Sequence, residues 1–297
     1  MARAVKEGSL YGRATRIATT AGVVLYTGRR MPMKIALLAA MVASSAFAQK
    51  EALLFHASFD KGLDADVAKG DRRIYTAPNY KEQNLAKPGL DHPDVSIVKG
   101  GKRGDALQFR RKNTRAVFYK ADKNTAFDPK NWSGTFSFWL SLDPETDLEP
   151  GFCDPIQVTD AAYNESAIWV DFTKDDKPRH FRLGVFGDRD SWNPTKMPDD
   201  KNPAFNNRLV VVKKYPFAKG KWTHVAITHS GLGSGNGTAT LYLNGEKQGD
   251  ATGIADMFSW DMERAALRLG VNYVGLFDEF SVYSRPLTAA EIKSLAR

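Results

Sequence analysis

The sequence predicts an all-β chain, an antiparallel β-sandwich or jelly roll with a short C-terminal helix. Three observations predict it. In Lys221–Glu246, two runs of alternating apolar and polar residues flank a loop carrying Gly231, Gly233, Gly235 and Gly237, the pattern of an antiparallel hairpin with one buried face. Val225 and Ile227 fall on one face, opposite His224, Ala226 and Thr228; Leu241 and Leu243 share a face that Thr240 and Tyr242 do not. Short runs of this kind recur between turn residues along the chain, which is how sandwiches read. Helical signal is scarce, and its clearest instance is the capping box Thr288-Ala289-Ala290-Glu291 near the end.

Taken in order, Ala52–Phe59 opens as a strand and Asp60-Lys61-Gly62 turns it. Residues 64–93, with Pro78, Pro88 and Pro93, read as a polar surface excursion. Val95–Val98 and Ala106–Phe109 are short strands around the turn Gly100–Gly104, and Arg115–Tyr119 follows. Phe136, Phe138 and Leu140 then share a face, with Trp139 on the other. Asp154–Thr159, Ala167–Phe172 and Phe181–Phe186 continue the series. Residues 187–207 have no periodic pattern and three prolines; long loops of this kind in compact domains are often functional. Leu209–Val212 precedes the central hairpin, Asn244-Gly245 supplies a second tight turn, and Ala266–Gly270 and Leu276–Tyr283 close the sheets.

The beginning reads differently. Residues 33–48 combine a basic start at Lys34, an apolar run over Ile35–Val42 and the small-x-small end Ala46-Phe47-Ala48. That is a secretory signal peptide, with cleavage expected after Ala48, and its apolar run is too short to span a bilayer. Residues 1–32 read as a start codon assigned too early, with Met31 or Met33 the true start, or as an extended leader. Residues 49–297 are then one sandwich domain of a secreted, periplasmic or envelope protein, with no transmembrane segment in the mature chain.

The chain carries 42 Lys and Arg against 34 Asp and Glu, a formal +8. Seven of those bases and one acid lie in residues 1–48, so the remainder is about +2 and shows no electrostatic footprint for nucleic acid. Cys153 is the single cysteine; no intrachain disulfide can form, and a buried thiol is expected.

Three stretches resemble a known family. The Trp-x-x-Val-Ala strand, glycine-rich turn and Leu-Tyr-Leu-Asn-Gly strand of the hairpin are similar to the centre of laminin-G-like domains, members of the concanavalin A-like lectin and glucanase superfamily. Gly134–Leu142 resembles its Phe-Ser-Phe-Trp strand. Leu269–Leu295 resembles its closing Phe-Asp-Glu strand and Leu-Thr-x-x-Glu-Ile helix. The matches run from about Leu53 to the C-terminus and imply a concanavalin A-like sandwich. That superfamily holds lectins, adhesion modules and enzymes, so fold leaves function open. The resemblance also implies one structural calcium ion between the start and end of the sandwich, with Asp60 and Asp278 as carboxylate ligands and Gly104 as a carbonyl donor. The alternative is that Asp60 caps its turn and Asp278 pairs with an arginine.

Catalytic signals are weak. Laminarinase-type relatives carry Glu-x-Asp-x-(x)-Glu on one strand, whose period of two puts the carboxylates on one face. Here Asp171 is flanked at i±2 by Trp169 and Thr173, and Asp278 and Glu279 are adjacent and point apart. Neither makes a dyad within its strand, although another strand could supply a partner. No nucleophile elbow, zincin motif or phosphate loop is present, and His224 and His229 fall on opposite faces of one strand. No catalytic residue is assigned. For carbohydrate, the loop offers Asp188, Arg189, Trp192 and Asn193, an aromatic with planar polar groups; the alternative is that Trp192 anchors the loop. The expected function is an exported, non-catalytic module binding extracellular or cell-surface polysaccharide or another polymer. A polysaccharide-cleaving enzyme and an adhesive protein-binding envelope protein are the rivals.

Overall fold

A computed structural model describes residues 47–112 and 115–297. The leader and signal-peptide readings fall on residues 1–48, of which 1–46 lie outside the described residues. The chain is built of strands β1 (Leu53–Ala57), β2 (Val67–Ala68), β3 (Ile74–Ala77), β4 (Lys87–Pro88), β5 (Val95–Lys99), β6 (Asp105–Phe109), β7 (Ala116–Lys120), β8 (Trp132–Ser141), β9 (Cys153–Thr159), β10 (Ala167–Phe172), β11 (Phe181–Phe186), β12 (Leu209–Val212), β13 (Trp222–Leu232), β14 (Gly237–Leu243), β15 (Glu246–Ile254), β16 (Ala266–Val271) and β17 (Gly275–Tyr283). A helix, Ala289–Leu295, follows.

Among the described residues the strands form two antiparallel sheets. The first runs β15-β14-β13-β8-β17-β1-β2, with β6 and β5 added beside β17; the second runs β12-β11-β10-β9-β16-β7-β3-β4. The central hairpin has the register the alternation dictates, with Val225 opposite Leu243 and Ile227 opposite Leu241. These residues, Phe136, Phe138 and Leu140 of β8, and Phe277 and Phe280 of β17 face the second sheet across one continuous core. From the other side come Ile156, Val158, Ile168, Val170, Leu183 and Leu267. Phe138 stacks on Phe277 with centroids 5.2 Å apart and meets Phe280 edge-on at 6.3 Å. Such pairs add to plain area burial.

Two regions depart from the sequence reading. The supposed surface excursion 64–93 contains β3, all four of whose residues are buried and which pairs with β7 from Ile74–Tyr119 to Ala77–Ala116. Arg72 and Arg73 precede it and Pro78 ends it, so too few apolar residues remained to show a period. β15 was also not foreseen, because its Glu-Lys-Gln-Gly-Asp run is polar and largely exposed; it is held as an edge by the ladder to β14.

Each sheet also has an outer face. On the first, the C-terminal helix is started by the expected capping box and packs Leu287 and Ile292 against Ala226, Tyr242 and Tyr283. Trp139 lies on this side with its ring under the Lys102 ammonium, 4.0 Å from the centroid. Both Tyr242 and Trp139 are buried by these contacts. Cys153 is buried, and burial pushes its thiol up to about 11.

The two β13 histidines do lie on opposite faces. His224 Nε2 meets Ser137 Oγ at 2.8 Å, whereas His229 sits in the core against Trp132 and Phe136. Burial lowers His224 to about 4 and His229 to about 3. The native state therefore excludes protons that the unfolded chain binds, so the contribution of the two histidines to stability is full above pH ~6.5 and falls as the pH drops toward 4. The raised Asp278 carboxyl acts in the opposite sense between pH 7 and pH 5. In urea unfolding at those two pH values, the change in stability on acidification should be less unfavourable in His229→Leu than in the unaltered protein by about 2 kcal/mol.

Candidate functional site

After β11 the chain makes a single helical turn, Arg189–Trp192, and the four residues singled out in this loop divide into two pairs. Trp192 is 3% exposed. Its indole lies among Phe186 and Phe205, donates from Nε1 to the Asn164 carbonyl at 3.0 Å, and is flanked by the guanidinium groups of Arg189 and Arg208. No ring face is left for a sugar. This corrects the expectation that Trp192 stacks on ligand: its large apolar surface anchors the loop to the sandwich. Asn193 is likewise inside, exchanging hydrogen bonds of 2.8 and 3.0 Å with the Met197 backbone.

Asp188 and Arg189 do reach the surface. They line an open depression of about 720 Å³ with Glu165, Ser191, Lys196, Met257 and Ser259. Asp188 Oδ1 accepts from the Ser259 backbone and hydroxyl, both at 2.9 Å, and from Ser166 Oγ. Arg189 is held by Asp199 at 2.6 Å, and its backbone N–H donates to Glu165 at 2.9 Å. Burial, with the Asp188 charge adding, raises the Glu165 carboxyl. The polar groups are thus fixed before any ligand arrives. Met257 at the rim is 65% exposed, and Tyr163, two residues before Glu165, is 54% exposed. Sequence reading missed Glu165, Met257 and Ser259 because they come from two other connections, β9–β10 and β15–β16, neither with a periodic pattern.

The candidate calcium residues meet at one turn. Asp60 Oδ1 accepts from the Asp105 N–H at 2.7 Å, and Asp278 Oδ2 accepts from the Arg103 N–H at 3.2 Å. Gly104 between them has φ +50, and a Cβ there would lie 2.1 Å from Asp60 Oδ1. Only glycine lets the carboxylate rest on this turn. The Gly104 carbonyl accepts from the Gly101 N–H at 2.9 Å, leaving its second lone pair. Asp278 is fully buried; burial pushes it up to about 7, against the backbone N–H groups of Arg103 and Glu279 that hold its charge. The arginine pairing considered for it goes instead to Glu279, at 3.1 Å from Arg103. Phe59 and Glu279, next to the two aspartates, have φ of 62° and 54°, and such strain in non-glycine residues clusters at functional sites. Hard oxygens suit calcium, but two carboxylates and a carbonyl are fewer than its six to eight ligands. Among the described residues no group of three or more His, Cys, Asp or Glu could hold a metal.

Asp171 finds a neighbour on an adjacent strand. Asp154 of β9 lies beside it on the outer face of the second sheet, both buried. Arg182 makes a two-pronged ion pair with Asp171. Burial, together with the Asp171 charge, holds Asp154 well above the usual carboxylate range, and Gln157 donates to it at 2.5 Å. Asp154 and Gln157 were not recognised as partners because Pro155 interrupts the alternation of their strand.

A model of the laminin-G type, described as the concanavalin A-like lectin/glucanases superfamily, matches residues 119–293. The chain belongs to this superfamily. No curated protein sequence gives a match. Among solved structures, this superfamily member is similar to domain 4 of AbnA, a GH43 extracellular arabinanase from Geobacillus stearothermophilus, in complex with arabinotriose. The identity is 19%, the TM-score 0.51, and 82% of this chain and 98% of that one are covered. It is also similar to the botulinum neurotoxin serotype D ligand binding domain in complex with N-acetylneuraminic acid, at 10% identity and TM-score 0.54. That match covers 85% of this chain but 52% of the toxin domain, about half its length. At these identities the likeness is one of fold. Among the described residues no helix is long and apolar enough to cross a membrane.

The anchoring role of Trp192 has a measurable consequence. Trp192→Ala should cost about 3–5 kcal/mol in urea unfolding, while Tyr163→Ala should change stability by less than about 0.5 kcal/mol.

Proposed function

We propose that the protein is an exported module, residues 49–297, that binds extracellular or cell-surface carbohydrate, or another such polymer, without catalysis. The observation that supports this most is the preset depression at Asp188, Arg189 and Glu165, with exposed Met257 at its rim. Sugars ask for an apolar surface beside a few fixed polar groups, and here Met257 offers the apolar surface. Two neighbours of the same fold are recorded with bound sugars, arabinotriose in one and N-acetylneuraminic acid in the other.

Polysaccharide cleavage has one observation in its favour, the Asp154–Asp171 pair, whose environments set the two carboxyls apart. Against it, both are nearly out of solvent, and Asp171 is tied to Arg182. A panel of polysaccharides, scored for retention and for released reducing ends, separates the readings. Retention without product is expected, weakened about tenfold by Arg189→Ala, the loss of one charge-assisted contact. Release of sugar abolished by Asp154→Asn would sink the binding reading. Retention of nothing would favour a protein-binding, adhesive role.

For the metal, the proposal is one structural calcium at Asp60, Asp278 and the Gly104 carbonyl, completed by other carbonyls and water. A ligand that binds only the folded state at about a hundred times its Kd adds about 2.7 kcal/mol. Calcium at that excess should raise Tm by roughly 5–10 °C in a chain of this size. The same addition should leave Asp60→Asn unchanged. No shift in the unaltered protein would remove the metal from the account.

A further inference from the structure

The outer face of the second sheet holds a separate cavity far from the loop depression in the strand order. It has a volume of about 610 Å³ and opens over β3 and β7. Tyr75 and Phe118 form its floor, stacked at 5.8 Å and 20° between planes, and the Tyr75 hydroxyl is turned aside to Asp71 at 2.6 Å. Lys120 and Arg264 rise on the walls with Asp122 and Glu263. Lys120 sits over the Tyr75 ring at 5.1 Å, and the Arg264 charge acts on the Asp160 carboxyl, but among the described residues none of these four side chains makes an ion pair. Two cations and two anions thus ring one depression.

The wall toward the sheet centre is Gln83, and it is fixed. Its Oε1 accepts from Arg268 Nε at 2.8 Å, and its Nε2 donates to the Arg264 carbonyl at 3.1 Å. Arg268 itself is 2% exposed. Its hydrogen-bond partners are Gln83, the Ala161 carbonyl at 2.9 Å and Gln157 at 3.5 Å, all neutral. A buried guanidinium with no carboxylate in hydrogen-bond contact is costly; the Asp160 charge acts on it without a hydrogen bond. Tyr80, whose ring lies 5.2 Å from the Arg268 guanidinium carbon, likewise buries its hydroxyl without a well-formed hydrogen bond.

We propose that this cavity is a second binding site, and that it takes a sugar ring bearing a carboxylate, a uronate residue within a chain. Tyr75 and Phe118, 5% and 4% exposed, close the bottom of the cavity beneath the ring and offer it only their edges. Arg264 and Lys120 receive the carboxylate, while Asp122 and Glu263 accept from ring hydroxyls. Its ligand class rests on the carbohydrate-binding reading; its place does not.

Calorimetric titration of the purified protein with trigalacturonate and with its uncharged methyl ester tests the site. The acid should bind, and the ester should bind at least about tenfold more weakly, the loss expected for a charge-assisted pair. Arg264→Ala and Lys120→Ala should each weaken the acid about tenfold. Both side chains are exposed, and an unchanged melting curve verifies that the variants fold. Equal affinity for acid and ester, or no binding of the acid, overturns the site. If the acid is lost in Arg189→Ala and kept in Arg264→Ala, the ligand belongs to the loop depression. That result ends the second site and leaves the first reading intact, which is judged on neutral polymers.

Discussion

Phe138 stacked on Phe277 and wedged against Phe280 ties the middle of the chain to its end. β8 lies between β13 and β17, and β17 in turn receives β1 and β6. Once that contact is made, the first strand, the central hairpin and the closing segment share one sheet. With no disulfide available, the ordering of partners distant in sequence rests on apolar packing and ladder hydrogen bonds. Loop closure over such separations must be met before the packing rewards it. The turn that gathers Asp60, Gly104 and Asp278 lies where β1, β6 and β17 converge, so a cation there would act on the same joint.

Legibility in the sequence followed the spacing of apolar residues. β8, β13, β14 and β17 were readable because theirs recur at period two, and β10 and β11 as short apolar runs, although β8 and β10 are buried on both faces. β3 offers only four residues between Arg73 and Pro78; β15 is an edge whose residues are mostly polar. Neither holds enough apolar residues to show a period. The same logic separates the Trp192 outcome from the Asp188 outcome. Composition could place an aromatic and polar groups in one loop, but which of them turned inward depended on Phe186 and Phe205, from flanking segments. The three aspartate and glycine residues of the closing turn were brought together by family resemblance, since no local pattern links positions so far apart.

The two outer faces are finished differently. The first sheet is covered by the C-terminal helix, an apolar lid on Ala226, Tyr242 and Tyr283. The second carries charged and amide side chains across its central strands, from Arg182 through Asp171, Asp154 and Gln157 to Arg268. Burying these groups costs more than burying leucine would, even when paired. Sheets packed for stability alone do not need such a strip. Its Arg268 end is joined to Gln83, the wall of the second cavity.

Cys153 leaves one consequence of a different kind. The thiolate, not the thiol, attacks disulfides and oxidants, and a group held at about 11 is ionised in about one molecule in ten thousand at neutral pH. Sealed beneath the Gly151 and Glu149 carbonyls, the sulfur is chemically silent in the folded state. A chain with a single, hidden thiol has no wrong disulfide to form with itself. Its folding is therefore indifferent to whether its surroundings are oxidising or reducing, and asks for neither a thiol catalyst nor a reductant.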